Sequence, residues 1–468
     1  MKDVEKLIDS RFHYLLKSTY KVVEVPAKDL ITSERLDIAI KFRYAKHLIE
    51  NNSDIYSLTL YREHLKVISN NTYIEPGDQN KSGIDDYIAA FKALISSVKN
   101  NGFEASNSLI PLGDNNVPLD GAHRIAIAAA LNLNVNCLRF NIPGQIYDTY
   151  FFKSRFTNDN LLNEFFLEYV KSTNEQLSVV IEWPLNLNLS NDIFNVYNDH
   201  IVHSLNLDLD YKGVKNLMLM NYWGEPWLQG DKFNNIGVHS KVKECFKGGV
   251  TKFYWVKNLS LKERINLKEK VRSLIHGTKH SLHSTDSKEE CLNLSCSLLD
   301  FSSSKLLNHI DPDFSSEYIT KLRDLNIKGP QFLVSGSGTL GIIGLRKPRD
   351  IDTFYDGEAT GDILGSHNKY MHFLDVNDRS FIYDPSFYFY YFGFKFLNKD
   401  KLILFKLNRG EAKDKKDVES LELFHSGGNK RSIKFLYYSV LQLTMFTLIN
   451  LIKKMGLKSF VKKVLGKK

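Results

Sequence analysis

At 468 residues, with 43% apolar and 12% aromatic side chains, the chain exceeds one ordinary core and can bury several, which excludes a disordered protein. Its net charge of +8 is concentrated at one end: the last 16 residues hold seven lysines and no acid, so the body has no nucleic-acid signature and no DNA partner is expected. The four cysteines form no CxxC pair, which excludes a zinc ribbon or disulfide framework and fits a reducing cytoplasm, and Met1–Tyr20 is charged from its second residue, unlike a secretory signal.

Residues 1–145 read as mixed α/β. Val22–Val25 is a short strand stopped by Pro26, which has no N–H for a ladder. Arg35–Asn51 and Asp85–Asn100 carry apolar residues at helical spacing, and Asn100-Asn101-Gly102 closes the second. Ser108–Leu112 and Val117–Leu119 are expected strands around the turn Gly113-Asp114-Asn115-Asn116. An apolar helix opens at Gly121 and runs through Ala130, strand Val135–Phe140 follows, and Pro143-Gly144 marks the end of the unit.

Residues 146–327 open with an aromatic-rich helical stretch, Tyr147–Val170, then a β-branched run, Leu177–Ile181. Next come an apolar segment, Leu217–Met220, and a loop bearing Trp223 and Trp227. Two amphipathic helices, Leu261–Leu274 and Asp286–Leu299, follow; acids crowd the first turn of the second, where they complement the positive end of the helix dipole. This alternation predicts a central α/β domain. Residues 328–428 carry a strand (Gln331–Val334), a glycine-rich turn, a helix and an acidic strand (Asp350–Phe354). Aromatic strands (Tyr370–Leu374, Phe381–Tyr383, Phe387–Phe392), a charged helix (Asp414–Phe424) and a linker, Ser426–Asn429, complete the unit.

Two segments carry chemistry. In the first, a strand runs into Asp120-Gly121-Ala122-His123-Arg124 at a helix start. Gly121 permits close backbone approach, the free N–H groups of the helix start face an anion, and Arg124 adds a forked charge. Asp120 is a candidate proton acceptor or metal ligand, and His123 a phosphate contact. With Leu109–Pro111 before it and an apolar helix behind, this segment resembles the ParB/sulfiredoxin-like superfamily over residues 20–140. The resemblance implies ATP or CTP held at this loop. Ala122 stands where sulfiredoxin carries its reactive cysteine, and no helix-turn-helix follows as in the partition proteins. The Asp-Gly-x-His-Arg form is most similar to the serine-kinase branch, which implies an N-terminal catalytic acid: Glu34, with Glu24 as second choice.

The second segment runs from Ser335-Gly336-Ser337-Gly338 through Arg346 to Arg349-Asp350-Ile351-Asp352. On a strand, residues i and i+2 project to one face, so Asp350 and Asp352 suit a Mg²⁺ ion that bridges phosphates. The pattern resembles the nucleotidyltransferase fold of the DNA polymerase beta superfamily over residues 330–425. That resemblance implies Gly336 and Ser337 as the phosphate turn, Asp350 and Asp352 as catalytic metal ligands, and Arg346 or Arg349 on phosphate. It also implies a third metal carboxylate, Asp384 or Asp375. Lys406, Arg409, Lys413, Asp414 and Asp417 are similar to the basic-and-acidic helix of small bacterial members.

Weaker features are the His280/His283 pair, a candidate metal or phosphate site, and Trp223 with Trp227, a candidate sugar-stacking platform. Ile433–Ile452 is strongly apolar between basic flanks, so 429–468 is expected to be an amphipathic, lysine-rich helix lying on an anionic inner leaflet. The expectation is an α/β and α+β multidomain chain, cytoplasmic and peripheral on the inner membrane face. Its expected activity is that of a Mg²⁺-dependent phosphotransferase or nucleotidyltransferase using ATP or CTP, joined to a kinase-type domain. The resemblance implies a bacterial surface polysaccharide or its lipid-linked precursor as acceptor. The alternative is a nucleotide-dependent regulator, or a toxin- or antiphage-type transferase acting on RNA or protein.

Overall fold

The computed structural model describes residues 4–74, 83–103, 109–155, 158–185, 189–229, 236–274, 280–311, 316–325, 327–358 and 365–425. The first of its three sheets takes β1 (Tyr20–Pro26), β2 (Ile110–Leu112) and β3 (Asn134–Phe140) in the order β1-β3-β2. β1 is antiparallel and β2 parallel to the central β3. Pro26 sits at the last position of β1, the edge placement that a residue without an N–H tolerates. Helices Leu36–Glu50 and Ala122–Ala130 share one core with this sheet. Tyr44, Tyr61 and Phe91 knit helices Leu36–Glu50, Tyr56–Ile68 and Ile84–Asn101 into a second cluster. Val117–Leu119 is not a strand: the chain turns at Asn115 and Asn116, both at positive φ, and only Pro118 bridges Leu112.

The second sheet is antiparallel throughout, in the order β5-β6-β4-β7. It contains β4 (Leu177–Glu182), β5 (Ile201–Leu207), β6 (Thr251–Lys257) and β7 (Leu282–Ser284). Every residue of β4 is buried, the polar Ser178 and Glu182 included, which explains why Val179-Val180-Ile181 runs on without alternation: the strand is covered on both faces. The expected Tyr147–Val170 helix is two helices, Thr149–Arg155 and Asp159–Ser172. Helices Leu261–Leu274 and Lys288–Leu299 stand where the spacing placed them, the second capped by Ser287.

The third sheet holds β8 (Phe332–Val334), β9 (Thr353–Tyr355), β10 (Tyr388–Tyr391) and β11 (Phe394–Leu397), in the order β10-β11-β8-β9. β11 and β8 are parallel; the other pairs are antiparallel. Two expected aromatic strands are 3₁₀ turns instead, Asn368–Leu374 and Arg379–Tyr383. At three residues per turn Tyr370 and Phe373 eclipse and stack, 6.1 Å apart at 16°, and Phe373 meets Phe405 edge-on. Helices Lys399–Arg409 and Ala412–His425 close the unit.

The main apolar core runs from Val25 to Leu421 and crosses the expected boundaries at 145/146 and 327/328. Polar bonds cross them too. Arg43 donates to Asp54 at 2.7 and 2.8 Å and to Glu168 at 2.9 Å. The Asp356 carboxylate accepts from the Ser53 N–H (2.9 Å), the Ser53 hydroxyl (3.0 Å) and the Tyr383 hydroxyl (2.8 Å). No helix among the described residues is long and apolar enough to cross a membrane. The linker Ser426–Asn429 and the expected tail lie outside the described residues.

Candidate functional site

β8 delivers the chain into a sharp turn. Gly336 has φ +61° and ψ −129°, a conformation that side chains with a Cβ avoid, and helix Ser337–Ile342 begins directly after it. The acidic segment returns alongside. β9 begins only at Thr353, so Asp350 and Asp352 precede the strand rather than belonging to it, yet both meet the turn. The Ser337 hydroxyl donates to Asp350 Oδ1 at 3.1 Å. The Ser335 N–H donates to the Asp352 carbonyl at 2.9 Å, and a Cβ on Gly336 would lie 2.6 Å from Asp352 Oδ2. Burial would raise the Asp352 pKa, but His367, Arg409 and Lys413 hold it below the ordinary carboxylate value.

Two further groups surround the turn. His367 is 5% exposed and bridges Ser335 Oγ (2.7 Å from Nδ1) to Asp352 Oδ1 (3.3 Å from Nε2). The Tyr318 hydroxyl is buried without a hydrogen-bond partner under Gly338, whose Cβ would lie 2.4 Å from it. Burial, with Asp352 and Asp350 nearby, raises that phenol above its ordinary range. Neither residue stands out in sequence, because each reaches the turn through folding of distant chain.

Hard carboxylate oxygens beside a backbone cradle that a Cβ would fill are a donor set suited to Mg²⁺, which takes one or two protein carboxylates and completes its shell with water and phosphate. Among the described residues no group of three or more His, Cys, Asp or Glu is gathered to hold a metal. The third carboxylate expected from resemblance departs from expectation for this reason. Asp384 caps the turn Pro385–Phe387 by accepting from the Ser386 N–H, and Asp375 ends the Asn368–Leu374 turn and accepts from Asn408 at 3.4 Å. Arg346 is engaged by another carboxylate. The chain reverses at Gly344 (φ +77°), and Arg346 forms two 3.0 Å bonds to the Asp417 carboxylate. There it joins a network in which Lys406, 2% exposed, pairs with Asp414 and Asp417 while Arg409 pairs with Asp414. Arg349 stays exposed beside Asp350.

In the N-terminal unit Gly121 is left-handed, φ +83°, and helix Ala122–Ala130 follows it. The Arg124 guanidinium folds back over this turn: a Cβ on Gly121 would meet it at 3.1 Å, and Asp120 pairs with it at 3.4 Å. Asp120 also faces Arg11 at 3.7 Å. Burial lowers the Arg124 pKa against the pull of Asp120 and Asp9. His123 turns the other way, into an aromatic nest. Its Nε2 shares a 2.9 Å hydrogen bond with the Tyr61 hydroxyl, and its ring stands edge-on to Phe91 at 5.0 Å.

Glu34, the expected base, is ion-paired with Lys257 on β6 and accepts from the Ser33 hydroxyl at 3.1 Å. Burial would raise its carboxyl, but Lys257 keeps it below the ordinary glutamate value, which weakens it as a base. Glu24 lies on β1 and accepts from Asn134 at 2.9 Å.

The weaker features separate. His283 shares a 2.9 Å hydrogen bond with Tyr222, and burial, with nearby lysines, pushes its pKa down to about 3; His280 instead faces Lys241. Trp227 packs edge-on to Tyr222. Trp223 packs edge-on to Phe392 and borders a cleft with Asn221, Glu290, Asn293 and Arg323.

Comparison of the chain with known protein families, with curated proteins and with solved structures finds no match.

Proposed function

We propose that the chain is a Mg²⁺-dependent nucleotidyltransferase or phosphotransferase whose chemistry takes place at the Gly336 turn. The observation that carries this reading is the convergence of Asp350 and Asp352 on a turn that only glycine fits. Gly336 lets a phosphate approach the backbone, Ser337 holds Asp350, and the exposed Arg349 is available to a phosphate oxygen. A bound Mg²⁺ would offset charge on the transferring phosphoryl group. The Gly121 turn, with Asp120 and Arg124, is proposed as a second nucleotide site for ATP or CTP. A saccharide acceptor is supported by the Trp223 cleft, which joins an aromatic ring to amide and carboxylate groups suited to sugar hydroxyls. The lysine-rich tail supports a lipid-linked form of that acceptor, met at the inner membrane face.

The test is transfer of label from radiolabelled ATP or CTP into lipid-linked glycan, protein or RNA. Asp350→Asn and Asp352→Asn should each abolish Mg²⁺-dependent transfer with melting preserved; wild-type rates in both would sink the assignment. A second reading, that the N-terminal unit senses nucleotide rather than acting as a kinase, is favoured by the Glu34–Lys257 pair. It predicts that Glu34→Gln leaves phosphoryl transfer unchanged.

A further inference from the structure

The Asp352 carboxylate is asymmetric. One oxygen, Oδ1, lies 3.3 Å from His367 Nε2, and the other, Oδ2, borders the Gly336 turn. The opposite face of the imidazole is fixed as well, since Nδ1 lies 2.7 Å from Ser335 Oγ. The neutral tautomer that satisfies both neighbours has Ser335 donating to Nδ1 and Nε2–H donating to Asp352. Ser335 closes the loop, because its own N–H donates to the Asp352 carbonyl.

The ring cannot swing away. Phe405 stacks on it at 5.4 Å and 19°, while Phe354 and Tyr370 stand across it at 5.8 and 5.6 Å. The His367 N–H donates to the Thr353 carbonyl at 3.0 Å and ties the residue to β9. Ser, His and Asp in sequence contact also compose a hydrolytic triad, but Ser335 is 0% exposed and so inaccessible to a substrate carbonyl.

We infer that His367 is a positioning residue: it occupies Oδ1 of Asp352 and thereby presents Oδ2 alone to a divalent cation at the Gly336 turn. This rests on the metal reading above and extends it to a residue 15 positions beyond the carboxylate it orients. Outer partners of this kind fix ligand orientation, and their loss weakens metal affinity by roughly 10- to 100-fold.

The experiment measures Mn²⁺ binding to the full chain by electron paramagnetic resonance, without nucleotide or turnover, alongside thermal melting. In His367→Asn the amide takes the place of Nδ1 and reaches only Ser335, so Mn²⁺ affinity should fall about 10- to 100-fold. In His367→Gln the amide takes the place of Nε2, and affinity should recover most of the way to wild type. Ser335→Ala, a smaller change, should give an intermediate loss by freeing the ring. Adding His367→Asn to Asp352→Asn should cost nothing further, because the two act as one unit. Wild-type affinity in folded His367→Asn, or equal losses in the Asn and Gln variants, would overturn the inference. If Asp350→Asn and Asp352→Asn also bind Mn²⁺ like wild type, the metal reading falls with it; if they lose Mn²⁺ while His367→Asn does not, only the role of His367 falls.

Discussion

Replacing Gly336 by alanine adds one methyl group at the most crowded point of the turn. At φ +61° and ψ −129° the backbone itself resists the change, by roughly 1–3 kcal/mol for a side-chain-bearing residue in a sparsely populated region. The methyl carbon would start 2.6 Å from Asp352 Oδ2 and 3.4 Å from His367 Cε1. Ordinary contact begins near 3.4 Å, so the carboxylate oxygen must retreat by about 0.8 Å. A displacement near 1 Å in a reacting constellation costs about 100-fold in rate. Gly336→Ala should therefore melt a few degrees lower, remain folded, and lose about two orders of magnitude in label transfer, with Mn²⁺ affinity falling in parallel. Circular dichroism, the transfer assay and Mn²⁺ titration on one preparation separate these effects. Wild-type transfer in a folded Gly336→Ala protein would refute the reasoning, since the crowding at Asp352 is independent of which nucleotide is used.

Arg124→Ala should weaken ATP or CTP binding at the N-terminal turn by about 1.5–3 kcal/mol, the value of a charge-assisted bond; calorimetry on the full chain is appropriate because the core crosses the 145/146 boundary, and unchanged affinity would argue against a nucleotide there. Asp300 caps helix Phe301–Leu306 from a buried position, and burial, with Glu164 adding, pushes its carboxyl up to about 6. The folded state thus holds this proton more tightly than the unfolded chain, so the associated stability is present below about pH 4 and lost as pH rises to about 6. Asp300→Asn, which keeps an acceptor for the cap, should be more stable than wild type at pH 7.5, by at most about 3 kcal/mol, and converge with it near pH 4; a lower melting point at pH 7.5 would reject this. Truncation after Gly428 should abolish salt-sensitive binding to anionic liposomes, to which each lysine contributes about 1 kcal/mol, while sparing transfer to a water-soluble acceptor. Equal partitioning of truncated and intact protein would remove the anchor.

Elements with a local signal were legible: the run Leu177–Ile181 became β4, and Leu261–Leu274 was read with its observed bounds. β6 carried a signal too, Phe253–Val256 between lysines, but β5 is a half-exposed edge strand whose polar residues blur its alternation. Asn368–Leu374 misled because aromatic content favours strand, whereas the three-residue repeat of Tyr370 and Phe373 belongs to a 3₁₀ turn. In the candidate site, Gly336, Ser337, Asp350 and Asp352 were visible as a pattern because the turn and the acidic segment are neighbours in the chain. His367 and Tyr318 were not, since their proximity depends on helix and turn packing. Arg346 shows what chain order does not carry: it is near the turn in sequence, yet after Gly344 its guanidinium pairs with Asp417 on a distant helix.

The grip of Ser53 and Tyr383 on Asp356, four residues past Asp352, bears on how such a protein can change over evolutionary time. A unit excised at 328 would keep Tyr383 but lose both bonds from Ser53, together with the helices that bury its inner face. Recombination that swaps this unit between proteins would therefore carry a folding penalty at the seam. The three segments are expected to be inherited and lost together, drifting as a single piece rather than circulating as interchangeable cassettes.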